Sequence, residues 1–269
     1  MPVFWFALSF VPVIHIARAT GIFIFLHLFL YPSSNGYNSY MDRDTTSIGG
    51  IANPLQPTRQ LYLATIVLDL MGILFAFFIS PYFTAGYIFY IICSRLYSYR
   101  GVRLKRFPVI GYLTVILNQG FLIFFMVYHG SDPHGKLAVP WQGLLAAGFL
   151  IGGFYPITQI YQHAADAKDK VKTISMVLGK KGTFHFCAVM YLAAFALLFQ
   201  YYRAEREINN FFLIQLFFVP VIVFFIRWYL RVRRNAQAAD FHRTMQMNWL
   251  AATCTNAAFI TLLILHQIG

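Results

Sequence analysis

Eight long apolar runs constrain the fold of this chain more than any other feature of its sequence. They lie at about residues 18–40, 60–79, 82–97, 108–128, 141–163, 184–202, 210–230 and 246–267. A bilayer core is roughly 30 Å thick and is crossed by a helix of about 20 apolar residues. Of the 269 residues, 59% are hydrophobic and only 11% are charged, a balance that does not suit a water-facing surface. The sequence therefore predicts an all-α, polytopic membrane protein.

The basic residues indicate how the chain crosses the membrane. The net charge is +12, but the Lys and Arg residues lie in the connections between apolar runs, which argues against a nucleic-acid partner. Of the 21 Lys and Arg residues, four fall on one set of alternate connections: Arg18, Lys136, Arg203 and Arg206. The opposite connections hold the others, so this richer side is predicted to be cytoplasmic. We expect a multi-pass protein of the cytoplasmic (inner) membrane.

A polar segment occurs twice in the sequence. Residues 31–42 and 155–166 both match Y-P-x-[ST]-[NQ]-x-Y-[NQ]-x-x-x-D, and both end an apolar run on the basic side. We interpret the match as a duplication. It predicts one domain, residues 1–269, built from two four-helix pseudo-repeats at about 1–128 and 129–245 and a last helix at 246–267.

Each copy of the segment places polar side chains on one predicted helical face. Pro32 and Pro156 are expected to kink the two helices or to free carbonyl groups that Asn, Gln, Ser or Thr then bind. Because polar groups at the membrane boundary are costly unless they face a cavity or each other, the two faces predict a shared central site. The spacing i, i+3, i+7 relates the members of each face, which are Asn35, Asn38 and Asp42 in the first copy and Gln159, Gln162 and Asp166 in the second.

Four of the nine acidic residues lie in or directly after these segments: Asp42, Asp44, Asp166 and Asp169. Carboxylates with amides beside them and Lys or Arg nearby suit a hard cation that bridges protein oxygens to a diphosphate. Mg²⁺ usually takes one or two carboxylates, phosphate oxygens and water. The composition of the segments thus favours a site for Mg²⁺ and a diphosphate.

The same residues resemble motifs of a known family. Asn38 to Asp44 resembles the first aspartate-rich motif of the UbiA superfamily of intramembrane prenyltransferases, N-D-x-x-D-x-x-x-D. Gln162 to Asp166 resembles its second motif, D-x-x-x-D, and Lys172 to Gly179 is similar to the stretch that follows. The connection from Tyr97 to Arg106 is similar to the basic loop after the family's fourth helix. The resemblance covers nearly the whole chain.

The resemblance implies nine transmembrane helices, two four-helix pseudo-repeats plus one, around a cavity in which the two motifs face each other. It implies an enzyme that uses Mg²⁺ to transfer a prenyl group from a prenyl diphosphate to a lipophilic or aromatic acceptor. The reaction would proceed through an allylic carbocation, and membrane lipids would surround the protein. The apolar segment from Met1 to Phe10 is too short to span a bilayer. We therefore expect a truncated first helix and a natural chain that begins upstream.

Roles for most individual residues follow from the resemblance, and the role of Asn118 follows from its position as a polar residue inside an apolar run. Three residues are expected to be catalytic, namely Asn38, Asp42 and Asp166. Together with Asp44 and Asp169 they would hold the metal. The sequence departs from the family pattern at Ser39, Thr46 and Gln162, which predicts a thinner metal shell. The residues expected to bind substrate are Asn35, Gln159, Gln162, Arg100, Arg103, Lys105, Lys172 and Asn118.

Two other functions remain open at this level. A secondary transporter also contains repeats, broken helices and polar residues near the middle of the membrane. A non-catalytic protein that binds prenyl lipids would fit the departures at Ser39, Thr46 and Gln162. The enzyme is favoured because the polar faces end at the basic boundary, and few residues beyond Asp69 would continue a transport path to the other side. Asp69 is expected to line the cavity, to bind acceptor, or to make a structural hydrogen bond to a neighbouring helix.

Overall fold

The computed structural model describes residues 2–43, 47 and 50–268. The described residues form ten α-helices: α1 (Pro2–Leu8), α2 (Ile16–Asp42), α3 (Arg59–Phe77), α4 (Pro81–Ser98), α5 (Pro108–Ser131), α6 (Trp141–Thr158), α7 (His163–Lys168), α8 (Ile174–Ala204), α9 (Ile208–Arg234) and α10 (Phe241–Ile268).

Eight of these helices correspond to the eight predicted apolar runs. Six are long and apolar enough to cross a membrane: α2, α3, α5, α8, α9 and α10. The all-helical membrane architecture is confirmed. The predicted count of nine spans is not, since α1 has seven residues and the two 18-residue helices α4 and α6 fall outside the set of six.

The helices pack into a bundle that surrounds a central space. α2 packs against α3 and α4, α6 packs against α5 and α8, and α9 packs against α8 and α10. The short α1 packs against α5 and α10, where Phe6 contacts the rings of Phe124 and Phe259. Burial of these aromatic rings joins the start of the chain to its last helix.

Glycines allow two close features of the bundle. A Cβ atom on Gly120 would lie 2.8 Å from the Cα atom of Gly148, so glycine permits the close approach of α5 and α6. Gly179 has φ of 68° inside α8, a conformation that favours glycine, and it kinks that helix near its start. α5 also contains a π-helical segment, Ile116–Leu122, and α2 contains another, Leu26–Leu30, which ends two residues before Pro32.

The two copies of the polar segment have different backbones, so the prediction of two matching helical faces was wrong for the second copy. α2 continues to Asp42, whereas α6 ends at Thr158 and residues 159–162 form a turn before α7. Pro156 has no N–H to donate to the carbonyl of Gly152. The hydroxyl of Tyr112 donates to that carbonyl at 3.1 Å. A tyrosine from a neighbouring helix therefore satisfies the group that we expected Asn, Gln, Ser or Thr to bind.

Candidate active site

A cavity with a volume of about 350 Å³ lies where both polar segments meet. Its wall is formed by α2, α4, α5, the end of α6, the α7 region and α10. The connection that follows α4 contributes the basic side chain of Lys105 to the wall. The residues of the wall that the sequence had predicted are Asn35, Asn38, Asp42, Lys105, Asn118, Gln159, Gln162, Asp166 and Asp169.

Helical periodicity places the residues of α2 and α4 on the wall. On α2, Asn38 and Asp42 both line the cavity one turn apart. The hydroxyl of Ser98, at the end of α4, donates to Asn38 Oδ1 at 2.6 Å. Further along the same two helices, the hydroxyls of Ser34 and Ser94 are 2.7 Å apart. These cross-links hold the two helices in register along the cavity.

Asp42 is buried at the wall, with a side chain that is 4% exposed. The ammonium group of Lys105 pairs with its carboxylate, and Arg103 Nη2 lies 3.5 Å from Asp42 Oδ1. Lys105 Nζ also donates to Asn38 Oδ1 at 3.4 Å. Cations of the chain itself therefore neutralise this buried carboxylate.

Arg103 connects the end of the first polar segment to Asp169, just after the second. Its guanidinium contacts the carboxylate of Asp169 as well as that of Asp42, and its Nη1 donates to the Asp169 carbonyl at 3.2 Å. Burial alone would raise the pKa of Asp169, but the hydrogen bond and charge of Arg103, with the charges of Arg100 and Lys105, lower it below its ordinary value. Burial opposes the charge of Arg103, yet the two carboxylates raise its pKa. Both partners of this link are ionised at neutral pH.

Arg100 is half exposed and holds the end of α2. Its guanidinium donates to the carbonyls of Met41 at 2.7 Å and Asp42 at 3.2 Å, and it lies 3.6 Å from the Asp169 carboxylate. Carbonyls of a last helical turn lack partners within the helix, and a cation there also suits the helix dipole. Arg100 and Arg103 thus contact the acids of the wall without lining the cavity.

The remaining predicted site residues lie elsewhere. Lys172 is exposed and is not part of the cavity wall. Asp44 lies outside the described residues, as does Thr46. Asp69 is also absent from the described wall, and it pairs with Arg95 and accepts a hydrogen bond of 2.5 Å from Ser33. These contacts join α2, α3 and α4 and favour the structural role for Asp69.

Three residues of the wall were not predicted to have a role. Gln159 Nε2 donates to the hydroxyl of Tyr155 at 2.8 Å, and that hydroxyl contacts the hydroxyl of Tyr97. Asn248, on α10, also lines the cavity. Tyr155 lies in the repeated segment, and Asn248 is a polar residue near the start of the last apolar run. The sequence thus contained a reason to consider Tyr155 and Asn248. It did not show the rotation of each helix, which decides whether these side chains face the cavity.

Oxygen atoms are the donors that the cavity wall offers to a metal ion. The described part of the chain contains no group of three or more His, Cys, Asp or Glu side chains that holds a metal by itself. The carboxylates of Asp42, Asp166 and Asp169 and the amides of Asn38 and Gln162 do line the same cavity. Mg²⁺ needs only one or two carboxylates when phosphate and water complete its shell. The donor set therefore fits Mg²⁺ bound together with a phosphate group.

Known proteins resemble the chain in sequence and in fold. A family model described as the UbiA prenyltransferase family matches residues 1–252. A UbiA homolog from Archaeoglobus fulgidus bound to GPP and Mg²⁺ has a TM-score of 0.68 at 17% identity, over 97% of this chain and 94% of that one. An apo UbiA homolog from Aeropyrum pernix K1 has a TM-score of 0.66 at 15% identity, over 97% of both chains.

A solved structure of a digeranylgeranylglyceryl phosphate synthase is also similar. Its TM-score is 0.63 at 16% identity, over 97% of this chain and 90% of that one. A search of curated protein sequences gives no match. At these low identities the structural similarities establish a shared fold, and substrates have to be argued from the cavity itself.

Proposed function

The chain belongs to the UbiA prenyltransferase family, and on this premise we propose that it is an integral membrane enzyme that transfers a prenyl group from a prenyl diphosphate to a membrane-associated acceptor, with Mg²⁺ as cofactor. One observation carries the proposal. The carboxylates of Asp42 and Asp166, one from each polar segment, and that of Asp169, just after the second segment, line one cavity with Lys105. Homologs of the same fold bound to GPP or DMAPP with Mg²⁺ support it.

In the proposed reaction the bond between the allylic carbon and the diphosphate oxygen breaks, and the diphosphate leaves with the electron pair. The nucleophilic atom of the acceptor then bonds to the allylic carbon, and the proton that the acceptor loses passes to diphosphate or water. When bound, Mg²⁺ would stabilise the charge of the departing diphosphate. Asp42, Asp166 and Asp169 would hold the ion, with the amide oxygens of Asn38 and Gln162 beside them.

The ion pairs at the wall determine how the site is filled. Lys105 pairs with Asp42, and Arg103 pairs with Asp42 and Asp169. A metal at Asp42 would compete with these cations for the same carboxylate oxygens. Diphosphate oxygens would give the displaced cations new partners. We therefore propose that Lys105 and Arg103 exchange carboxylate for phosphate, so that metal and diphosphate bind more tightly together than either alone.

Aromatic side chains near the acids have a proposed role in the ionised state. Tyr90, Tyr97, Tyr155 and Tyr161 line the cavity. Aromatic faces attract cations and would shield an allylic carbocation from water. Tyr155 is held by Gln159 and by contact with Tyr97, so its ring is fixed before substrate binds.

We also propose an orientation and an arrangement in halves. Lys105 and Arg103, from the basic connection after α4, meet the acids that follow α2 and α6 at one end of the bundle. Positively charged connections favour the cytoplasmic side, so we place this end of the cavity at the cytoplasmic face of the inner membrane. The repeated segment supports two four-helix halves with a ninth helix, divided near residue 128.

Turnover of a labelled prenyl diphosphate by the purified protein in proteoliposomes tests the proposed function. The acceptors are a neutral lipid extract and defined aromatic or hydroxylated compounds. A labelled prenylated product, formed with equimolar release of diphosphate and only in the presence of Mg²⁺, is the expected result. Transport of uncleaved prenyl diphosphate into the vesicle lumen would contradict the proposed enzyme activity and would favour a transporter.

A further inference from the structure

Three amide side chains of the cavity wall have an oxygen that accepts no hydrogen bond from any described residue. They are Asn118 on α5, Gln159 after α6 and Asn248 on α10. Asn118 and Gln159 are almost fully buried, with 4% and 7% of their surface exposed. A buried oxygen without a donor is unfavourable, and most such groups in proteins find a partner. Three of them on one wall indicate a ligand that supplies donors.

The other ends of two of these amides are used within the protein. Asn248 Nδ2 donates to the sulfur of Met245 at 4.0 Å, and a thioether sulfur can only accept. Gln159 Nε2 donates to the hydroxyl of Tyr155. The amide nitrogens are thus engaged, and the oxygens are the atoms left for a ligand.

The charges of the wall restrict the ligand further. Among the described residues, Lys105 is the one Lys or Arg that lines the cavity, and it pairs with Asp42. Arg100 and Arg103 contact Asp169 and backbone carbonyls. Under the proposed function Lys105 and Arg103 bind the diphosphate, while Arg100 stays engaged by the carbonyls of α2 and by Asp169. A carboxylate or phosphate on the acceptor would therefore be buried without a cation of its own, which is strongly unfavourable.

We infer that the prenyl acceptor is a neutral molecule that carries hydroxyl groups, and that Asn118, Gln159 and Asn248 recognise it by accepting hydrogen bonds from those hydroxyls. The inference rests on the proposed function and names its acceptor class. A neutral phenol and a neutral glycerol ether lipid share this chemistry. In either case the proton released on transfer passes to diphosphate or water.

Matched pairs of acceptors test the inference and distinguish the two sources. One pair is naphthalene-1,4-diol with and without a 2-carboxylate, and the other is a 1-O-alkylglycerol with and without a phosphate. We expect the neutral member of one pair to be prenylated with a kcat/KM at least about tenfold above that of its anionic partner, since one unpaired buried charge costs far more than this. Equal or better use of the anionic member in both pairs would overturn the inference.

Substitutions assign the recognition to individual amides. Asn248→Leu and Asn118→Leu keep the branched side-chain shape but remove the amide, and each is expected to raise the KM for the neutral acceptor about three- to tenfold, as for one lost hydrogen bond. The Kd for the prenyl diphosphate should stay unchanged. Asn256→Leu is the matched control, because Asn256 on α10 also has an oxygen without a donor but is not on the wall. An equal rise of KM in all three variants would indicate a general loss of packing and would contradict the assignment.

A substitution that improves the use of an anionic acceptor would test the inference independently. Asn248→Lys adds a cation to the wall and is expected to raise the kcat/KM for the carboxylate acceptor while lowering that for its neutral partner. The proposed function and this inference fail in different ways. If labelled prenyl diphosphate does not bind, prenyl transfer itself is wrong. If it binds and is transferred only to anionic acceptors, or to no acceptor of either pair, the neutral acceptor class is wrong.

Discussion

The ammonium group of Lys105 pairs with the buried carboxylate of Asp42. Lys105 belongs to the connection between α4 and α5, whereas Asp42 ends α2, so the pair closes the cavity between segments that are 63 residues apart. The same carboxylate is a predicted metal ligand, and the same amine is a predicted phosphate ligand. A single ion pair thus connects the predicted metal site to the predicted diphosphate site.

Replacement of this lysine should separate the two binding events. Lys105→Met frees Asp42 from its competing cation, so we expect tighter binding of Mn²⁺ alone, by about three- to tenfold, and weaker binding of inorganic diphosphate by at least as much. Electron paramagnetic resonance of Mn²⁺ and calorimetry of diphosphate measure the two effects. Lys172→Met, at an exposed site, is the control. A parallel loss of both affinities would contradict the exchange of partners.

Removal of the guanidinium that joins the polar segments should loosen the cavity. Arg103→Ala leaves the carboxylates of Asp42 and Asp169 without this partner, and we expect a loss of about 1–3 kcal/mol in the free energy of unfolding. Thermal unfolding in detergent, followed by tryptophan fluorescence, measures the change as a lower Tm. Arg106→Ala, in the same connection but exposed, should leave Tm within about 1 °C. A Tm of Arg103→Ala equal to that of Arg106→Ala would show that the link contributes nothing.

The link between Arg103 and Asp169 should also depend on pH. Asp169 has a pKa below its ordinary value of 3.8, so the unfolded state binds the proton first as the pH falls. The stabilisation is therefore complete above pH 3.8 and is lost as the pH falls through the lower folded-state pKa. The Tm difference between wild type and Asp169→Asn should be constant from neutral pH down to about pH 5 and should shrink below about pH 4. A difference that shrinks already between pH 7 and 6 would assign the effect to another group.

Tyr112 and Pro156 should be coupled energetically. Tyr112→Phe removes the donor to the Gly152 carbonyl and should cost about 1 kcal/mol of unfolding free energy. In a Pro156→Ala background the restored N–H can bond to that carbonyl, so the same substitution should cost little. Unfolding of the four proteins in a double-mutant cycle gives the coupling. Strictly additive effects would refute this account of the break after α6.

The fold could be predicted from the apolar runs because the length of a span is set by the bilayer. The runs located α2, α3 and the other long helices, and the resemblance of Asn38 to Asp44 and of Gln162 to Asp166 to family motifs identified the family. The number of spans could not be predicted as securely, since α4 and α6 have only 18 residues each, close to the minimum for crossing a bilayer. The prediction of one continuous helix through the second repeated segment, which contains Pro156, was wrong. The sequence does not show whether a proline kinks a helix or ends it nearby.

The candidate site could be predicted in part for a related reason. Polar residues in a repeated pattern, such as Asn38 and Asp166, were identified by their spacing. Asn248 and Tyr155 could not be assigned, because their contribution depends on helix rotation within the bundle. Lys172 was predicted beside Thr173 on family resemblance, yet Lys172 is exposed while Thr173 lines the cavity and caps α8. Adjacent residues at a helix start can face opposite ways.

Equilibrium binding of a labelled prenyl diphosphate, with and without Mg²⁺, tests the central claim most directly. Wild type is compared with Asp42→Asn and Asp166→Asn, one from each polar segment, and with Glu205→Gln, an exposed acid outside the cavity, as the control. The account predicts Mg²⁺-dependent binding by wild type and the control, and a loss of at least about tenfold in affinity for each aspartate variant. Binding by well-folded aspartate variants that equals that of wild type, or binding that is independent of Mg²⁺, would contradict it.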